Sequence, residues 1–307
     1  MKGSSNRLYL TFHNEFSDSM SSSETNVTVI LPVYNGSAYL REAIESVITQ
    51  DCDDWKLLIV DDCSKDNSIN IINKYNSSKL ELKKNKSNLG LYGSLNQAIE
   101  GVNTDYCVIL MQDDMLKPNH ISSFLRFSKM HENCVSFWGD NDVIDSHGNY
   151  SSKGRVDGIQ DYCAPSRKAW LDTFRRGCYW IISGSFNKTS WLKIHPFRSE
   201  FPHAADLNFL ITTIHQKPML YVGSTFSIVR IHDDQQTNRH VREARDLREY
   251  LIILREQYRE GMTRLEFLRL RFYLQAAILR RIASRIKKND MHAVRKTAIL
   301  FLQSLRF

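Results

Sequence analysis

No run of apolar residues in the 307-residue sequence approaches the ~20 needed to span a bilayer. The first 25 residues are rich in Ser and Asn, and Leu8-Tyr9-Leu10 is their only apolar stretch. That is too short for the hydrophobic segment of a secretory signal, so residues 1–25 are expected to form a mobile tail and the protein to stay in the cytoplasm. There is no C-x-x-C pair. The cysteines, at positions 52, 63, 107, 134, 163 and 178, follow no regular spacing. This argues against a zinc site or a disulfide framework and leaves small buried apolar side chains as their expected role. Internal repeats are absent, as are low-complexity segments beyond the Ser-rich start. No stretch interleaves aromatic and basic residues into a stacking platform, which argues against nucleic acid as a partner.

What is present is ordinary globular material. The chain is 42% hydrophobic and 24% charged, and it is long enough for one large domain or a main domain with a smaller appendage. The net charge of +7 is unevenly placed. Residues 241–307 hold 16 Lys+Arg against 7 Asp+Glu, while residues 1–240 hold 25 against 27. A basic excess confined to the last fifth, away from the acidic motifs upstream, favours an anionic membrane surface over nucleic acid.

From Asn26 to about Asn141 the pattern alternates strand and helix. Val27 to Leu31 is a β-branched run closed by Pro32. It is followed by the turn Asn35-Gly36-Ser37 and by Leu40, Ala43, Ile44, Val47 and Ile48 at helical spacing. Lys56–Val60 reads as a second strand ending in Asp61-Asp62, and Tyr106–Leu110 as another ending near Asp113-Asp114. Ser68–Tyr75 and Ser94–Val102 read as helices. Such alternation means crossover units on a parallel sheet, with ligands bound at the carboxyl ends of the strands. Gly139–Ala164 reads as a polar loop and Trp170–His215 as mixed. After His232 the chain reads as helices only, with apolar stripes Leu247, Leu251, Leu254, Tyr258 and then Leu265, Leu268, Phe272, Leu279, Ile282, Ile286.

Two constellations carry chemistry. Pro32-Val33-Tyr34-Asn35 and Asp61-Asp62-Cys63-Ser64 follow neighbouring strands. There a carboxylate can accept a base N–H or a ribose hydroxyl while a tyrosine stacks on the base. Taken alone, each acid reads more readily as a turn or cap residue. The second constellation is Met111-Gln112-Asp113-Asp114. A hard cation such as Mg²⁺ or Mn²⁺ needs only one or two protein carboxylates, since diphosphate oxygens and water complete its shell. Here too a lone Asp-Asp reads as a solvated turn, and its position on the same sheet edge is what raises it.

The ordered set Val29–Asn35, Leu58–Asp66, Asn88-Leu89-Gly90 and Gln112-Asp113-Asp114 resembles the family 2 glycosyltransferases of the GT-A fold, over the stretch from Val27 to about His232. The resemblance implies an α/β domain (residues 26–240) with an α-helical C-terminal extension (241–307). It implies inverting transfer of a sugar from a nucleotide diphosphate donor, with UDP favoured by Asp62. Pro32 and Tyr34 would line the base pocket, Asp62 would read the base, and Asn88, Gly90 and Gln112 would complete the donor site. Asp113 would be the metal-binding acid of the D-x-D triplet, whose first acid is Met111 here. Asp114 either compensates for that change or caps the next turn. Asp206, in His203-Ala204-Ala205-Asp206-Leu207, stands where the family carries its catalytic base, with Ala205 replacing the preceding glutamate. Arg230 and His232 resemble the late Arg-x-His segment, as phosphate partner and metal ligand, with an incidental surface loop as the rival reading. Gly184 and Ser185 match the acceptor side.

Gln235–His240 lacks the Trp of the processive motif, so single addition is expected. The acceptor implied is a lipid-linked glycan of a bacterial surface polysaccharide, carried on an undecaprenyl diphosphate lipid at the inner face of the cytoplasmic membrane. The basic helices either pack on the domain or lie on that membrane, or do both with different faces. Two other readings stay open: transfer to polyprenyl phosphate itself, and a catalytically silent sugar-nucleotide-binding protein, suggested by Met111 and Ala205.

Overall fold

The computed structural model describes residues 26–154, 160–176, 178–233, 235, 240–241, 243–287 and 289–305. The expected N-terminal tail lies outside these residues, as do positions 236–239 of the segment compared with the processive motif.

The chain opens as the sequence pattern requires. β1 (Val27–Val33) is buried at every position, flanked by β2 (Trp55–Asp61) and β4 (Tyr106–Ile109), both parallel to it. β3 (Leu80–Lys84) extends the sheet beyond β2. A strand covered on both faces must be apolar throughout, and its alternate residues then serve two cores. Val29, Leu31, Leu57, Ile59 and Val108 join one cluster with Leu40, Ala43, Ile44 and Val47 of α1 (Leu40–Ile48). Ile30, Leu58, Val60, Cys107 and Ile109 join the other with Leu95, Ala98 and Ile99 of α3 (Gly90–Glu100). The period of two along each strand sorts its side chains between the two helical layers.

The full sheet runs β3-β2-β1-β4-β9-β6-β10-β5. Its second half comprises β5 (Met115–Leu116), β6 (Ser136–Ile144), β9 (Ser185–Lys188) and β10 (Met219–Arg230). β9 is antiparallel to β4 and β6, and β10 is parallel to β6 and antiparallel to β5. β7 (Tyr150–Ser152) and β8 (Gln160–Cys163) attach to β6 and β10. The sheet is therefore mixed.

Three sequence readings are corrected here. Gly139–Ile144 belongs to a long strand rather than a loop, because its polar residues Asp140 and Asn141 pair with the irregular, bulged part of β10. β3 and β10 are strands that the periodicity did not disclose. The third helix begins at Gly90, four residues before the expected start at Ser94.

α2 (Ser68–Ile72) and α4 (His120–Met130) complete the first layer. α5 (Arg167–Arg176), α6 (Thr189–Ile194) and α7 (Ala205–Gln216) complete the second. The final helices are α8 (Arg245–Arg259), α9 (Arg264–Lys287) and α10 (Met291–Leu305). They join the second core through Leu247, Leu251, Leu254, Phe267, Leu270, Leu274, Ile278 and Leu300. Ion pairs Arg198–Glu256 and Arg167–Glu266, each 2.5 Å, tie α8 and α9 to the body of the chain.

The second apolar stripe faces the other way. Leu265, Leu268, Phe272, Leu279 and Ile286 are exposed, Phe272 to 67%. α9 buries a different row instead: Phe267, Leu270, Leu274 and Ile278.

Among the described residues no helix is long and apolar enough to cross a membrane. The five described cysteines are free thiols.

Candidate active site

The carboxyl ends of β1, β2 and β4 lie side by side where the strand order reverses, the place where open α/β sheets bind ligands. The turn after β1 is held rigidly. Asn35 takes a positive φ of 51° and donates its N–H to Ser64 Oγ (3.0 Å), while its Oδ1 accepts from Lys65 N (2.8 Å). Gly36 N donates to Ser68 Oγ and Ser37 N to Asp66 Oδ2. Burial would raise the Asp66 carboxyl, but hydrogen bonds from Ser68 and Ser37 outweigh it and hold the group at about 2. Gln112 reaches across from the end of β4. Its Oε1 accepts from Tyr34 N (2.9 Å) and its Nε2 donates to Tyr34 O (3.3 Å). A Cβ at Gly36 would lie 2.3 Å from Gln112 Oε1, so glycine is what lets this side chain lie down. Tyr34 itself stays 38% exposed with its ring available for stacking.

The two acids after β2 differ in their surroundings. Asp62 accepts from Leu89 N, Gly90 N and Asn85 Nδ2, each at 2.8 Å, and its carbonyl accepts from Asn88 Nδ2 (3.2 Å). Much of its acceptor capacity thus holds the start of α3, where Gly90 takes φ +73°. Asp61 accepts from Ser64 N (3.3 Å) through Oδ2, while its Oδ1 is buried without a partner. An orphaned carboxylate oxygen at the end of a strand is itself a pointer to a bound donor group. Pro32 lies within β1, paired with Val60, and contributes backbone shape.

At the end of β4, Asp113 and His232 come together with Oδ2 and Nε2 3.3 Å apart. Their side chains are partly exposed. Burial raises the Asp113 carboxyl, with His232 and Arg230 pulling it back. Among the described residues no group of three potential ligands assembles. Yet two ligands in neighbouring positions of an octahedral ion bound at ~2.1 Å lie about 3 Å apart, so this pair fits one Mg²⁺ or Mn²⁺ whose other positions belong to substrate and water.

Asp114 turns the opposite way. It is buried and accepts from Arg230 N (2.9 Å), and burial above all lifts its carboxyl to about 6.

Arg230 is placed elsewhere than the sequence suggested. Only 1% of it is exposed, its Nη2 contacts Glu42 at 2.7 Å, and it donates to the carbonyls of Asp113 and Asp145. Its guanidinium sits 4.3 Å from the Tyr39 ring centre. With its fork thus occupied it braces the Asp113 loop rather than reaching outward to a phosphate. Arg230→Ala is expected to lower stability by about 2–4 kcal/mol, because it opens a hole and strands two carbonyls, while half-exposed Glu42 regains water. Arg230→Lys should recover little, lacking the planar fork. Urea denaturation of both variants checks this, and wild-type midpoints would contradict it.

Asp206 lies in the first turn of α7, mostly buried, with its carboxyl raised to about 6. Burial is the main cause, and the Glu249 charge adds to it. Leu207 N–H and the Cys178 thiol work against the rise. The carboxylate opens into a cavity of about 640 Å³ shared by Met111, Leu91, Tyr92 and residues of α8 and α9. The Met111-Gln112-Asp113 loop therefore has the Tyr34 turn and the Asp113–His232 pair on one side and the Asp206 cavity on the other. Glu249 of α8 accepts from His203 N and Ala204 N at 2.9 and 2.8 Å, anchoring the loop that leads to Asp206.

Gly184 takes φ +81° with Ser227 close by, and Ser185 is fully buried in β9, its hydroxyl bonded to Ile182 O. Neither presents a side chain to the cavity. Their neighbour Ser183 does reach the site, donating to Asp114 and accepting from Met111 N (3.2 Å).

Sequence reading missed Ser183, Glu42, Glu249 and the orphaned oxygen of Asp61. Only Asp61 carried any local pattern, as the first acid of its pair. The others are contacts across 40 or more residues, which no spacing encodes.

Residues 28–187 match the family described as Glycosyl transferase family 2. An uncharacterized glycosyltransferase of Rickettsia typhi is 27% identical over 215 residues, covering 69% of this chain and 66% of the relative. The Escherichia coli UDP-Glc:alpha-D-GlcNAc-diphosphoundecaprenol beta-1,3-glucosyltransferase WfgD is 25% identical over 183 residues, 59% of this chain and 66% of that protein. The matched part spans between about a third and two thirds of the length of the first curated relatives. Among solved structures, S. aureus TarS 1-349 in complex with UDP-GlcNAc superposes with a TM-score of 0.58 at 15% identity, covering 91% of this chain and 92% of that one. That likeness shows the shared GT-A-like fold.

Proposed function

The chain belongs to glycosyl transferase family 2, and on that premise we propose that it moves a sugar from a nucleotide diphosphate donor to a hydroxyl of a lipid-linked glycan, with inversion at the anomeric carbon. The observation that carries this is the placement of Asp206. Asp206, a mostly buried carboxylate with no ion-pair partner among the described residues, faces a cavity large enough for a sugar, one loop away from the Asp113–His232 pair. With its carboxyl lifted to about 6, Asp206 is ionised yet basic at neutral pH, as a general base needs to be. It accepts the acceptor hydroxyl proton as that oxygen bonds to the anomeric carbon and the nucleotide diphosphate leaves. Tyr34 stacks on the base, and Asp61 and Asp62 receive base and ribose donors. Asp113 and His232 would hold a divalent ion, which neutralises charge on the departing diphosphate.

UDP is the favoured nucleotide, by the acids after β2 and by the donors named for WfgD and TarS. WfgD's name also supports a lipid-linked acceptor in bacterial surface polysaccharide synthesis. The exposed stripe of α9, interspersed with Arg264, Arg269 and Arg271, supports a peripheral place on an anionic membrane. Leu268→Glu with Phe272→Glu is expected to abolish co-flotation with phosphatidylglycerol vesicles. Unchanged flotation would remove the membrane from the proposal.

The transfer reading is tested with UDP-, GDP- and dTDP-sugars plus Mn²⁺ or Mg²⁺, following binding and slow donor hydrolysis. One donor should bind in a metal-dependent way and be hydrolysed. Binding with no turnover under any condition, acceptor included, would indicate a silent sugar-nucleotide-binding protein, and no binding at all would end the reading.

A further inference from the structure

The cavity above Asp206 is not neutral. Three guanidinium groups line it: Arg175 in the last turn of α5, and Arg280 and Arg281 on α9. Asp206 and Asp246 are its carboxylates, and His203 and His240 also face it. Asp246 neutralises Arg281 at 2.6 Å. Arg175 and Arg280 are exposed, and among the described residues neither makes an ion pair or a hydrogen bond. Two like charges thus border one concave space beside Tyr273, Leu274 and Ala277 with no counter-charge of their own.

We propose that Arg175 and Arg280 bind a phosphate group carried by the acceptor, adjoining the sugar whose hydroxyl Asp206 deprotonates. The proposal rests on the transfer reading and adds to it the chemical class of the acceptor and the residues that recognise it. Two uncompensated guanidinium forks match a group with several oxygens and at least two negative charges, whereas a lone carboxylate would satisfy one fork. Repulsion from Asp206 keeps the phosphate toward the arginines and leaves the neutral hydroxyl for the base. Half of this recognition comes from α9, outside the 28–187 region that matches the family. A chain can thus alter its acceptor through its C-terminal helices while the donor site stays the same.

The test titrates wild type, Arg175→Ala, Arg280→Ala and Arg280→Lys with two probes. One is the undecyl diphosphate ester of N-acetylglucosamine and the other is undecyl N-acetylglucosaminide, its neutral counterpart. Binding of UDP, GDP and dTDP is measured alongside. Wild type should prefer the diphosphate by about tenfold or more. Each alanine variant should remove most of that preference, with neutral-probe and nucleotide affinities unchanged, and the lysine variant should retain part of it. Equal wild-type affinity for both probes, or no affinity for either, would overturn the proposal. So would a loss in the variants that is equal for both probes or shared by the nucleotides.

A vesicle arm separates the acceptor's phosphate from a lipid headgroup. Flotation with phosphatidylglycerol should be unchanged in both alanine variants, and its loss would reassign the arginines to the membrane and overturn the acceptor site. Failure of the underlying transfer reading is recognisable separately, as absence of nucleotide-sugar binding and hydrolysis in the wild type.

Discussion

Asp206→Asn is expected to abolish transfer while making the protein more stable at neutral pH. The amide keeps the size of the carboxyl but cannot accept a proton, and losing a general base costs about 10³-fold in kcat. Donor binding should survive, because Asp206 faces the cavity on the other side of the Met111–Asp113 loop. The stability change has a definite sign. The carboxyl ionises near 3.8 in an open chain and near 6 in the folded protein. The folded state thus holds its proton more tightly, and stability falls as pH rises from about 4 to above 6. An amide never incurs that penalty, so the variant should gain at most about 3 kcal/mol at pH 7.5 and little at pH 4. Wild-type kcat should correspondingly fall as pH drops through about 6. Thermal melts at the two pH values and a pH–rate profile check both halves. A variant less stable than wild type at pH 7.5, or one retaining more than a tenth of kcat, would contradict the role given to this residue.

Asp113→Ala should produce a different failure: donor affinity in the presence of Mn²⁺ should fall by about a hundredfold, to the metal-free level. His232→Ala should give the same change in weaker form, about tenfold, because imidazole is the softer partner for a hard cation. Asp114→Asn separates the two neighbouring acids. Its carboxylate is turned inward onto Arg230 N, so the variant should keep metal-dependent binding. Calorimetric titration of the preferred donor with and without Mn²⁺ distinguishes these outcomes. If Asp114→Asn, and not Asp113→Ala, removed the metal effect, the assignment within the pair would be reversed.

The two acids show why part of the site was legible and part was not. Both stand at the end of one strand, and the sequence marks that edge clearly. Which acid faces outward depends on backbone direction after β4 and on Arg230, 116 residues later. Arg230 itself illustrates the reverse case. An arginine in a polar Arg-x-His segment reads as a ligand-facing cation. The fold instead surrounds it with Glu42, Tyr39 and two carbonyls drawn from distant segments. Gly184 and Ser185 lie beside the end of β4, where strand pairing turns Ser185 inward and leaves Ser183 to touch the loop.

The sequence by itself determined the parallel half of the sheet, the order of its acidic strand ends and the edge they share. These follow from local period and from burial of β-branched runs, which neighbouring residues encode. Tertiary structure alone decided which side of α9 is buried. Two apolar rows coexist on that helix, and only packing against α5, α8 and α10 selects the row Phe267, Leu270, Leu274 and Ile278, leaving Leu265, Leu268 and Phe272 outside. It alone also gathered Arg175, Arg280 and Asp206 around one cavity. Charge and hydrophobicity are properties of residues, but which of them share a space depends on contacts between segments that the chain brings together only once folded.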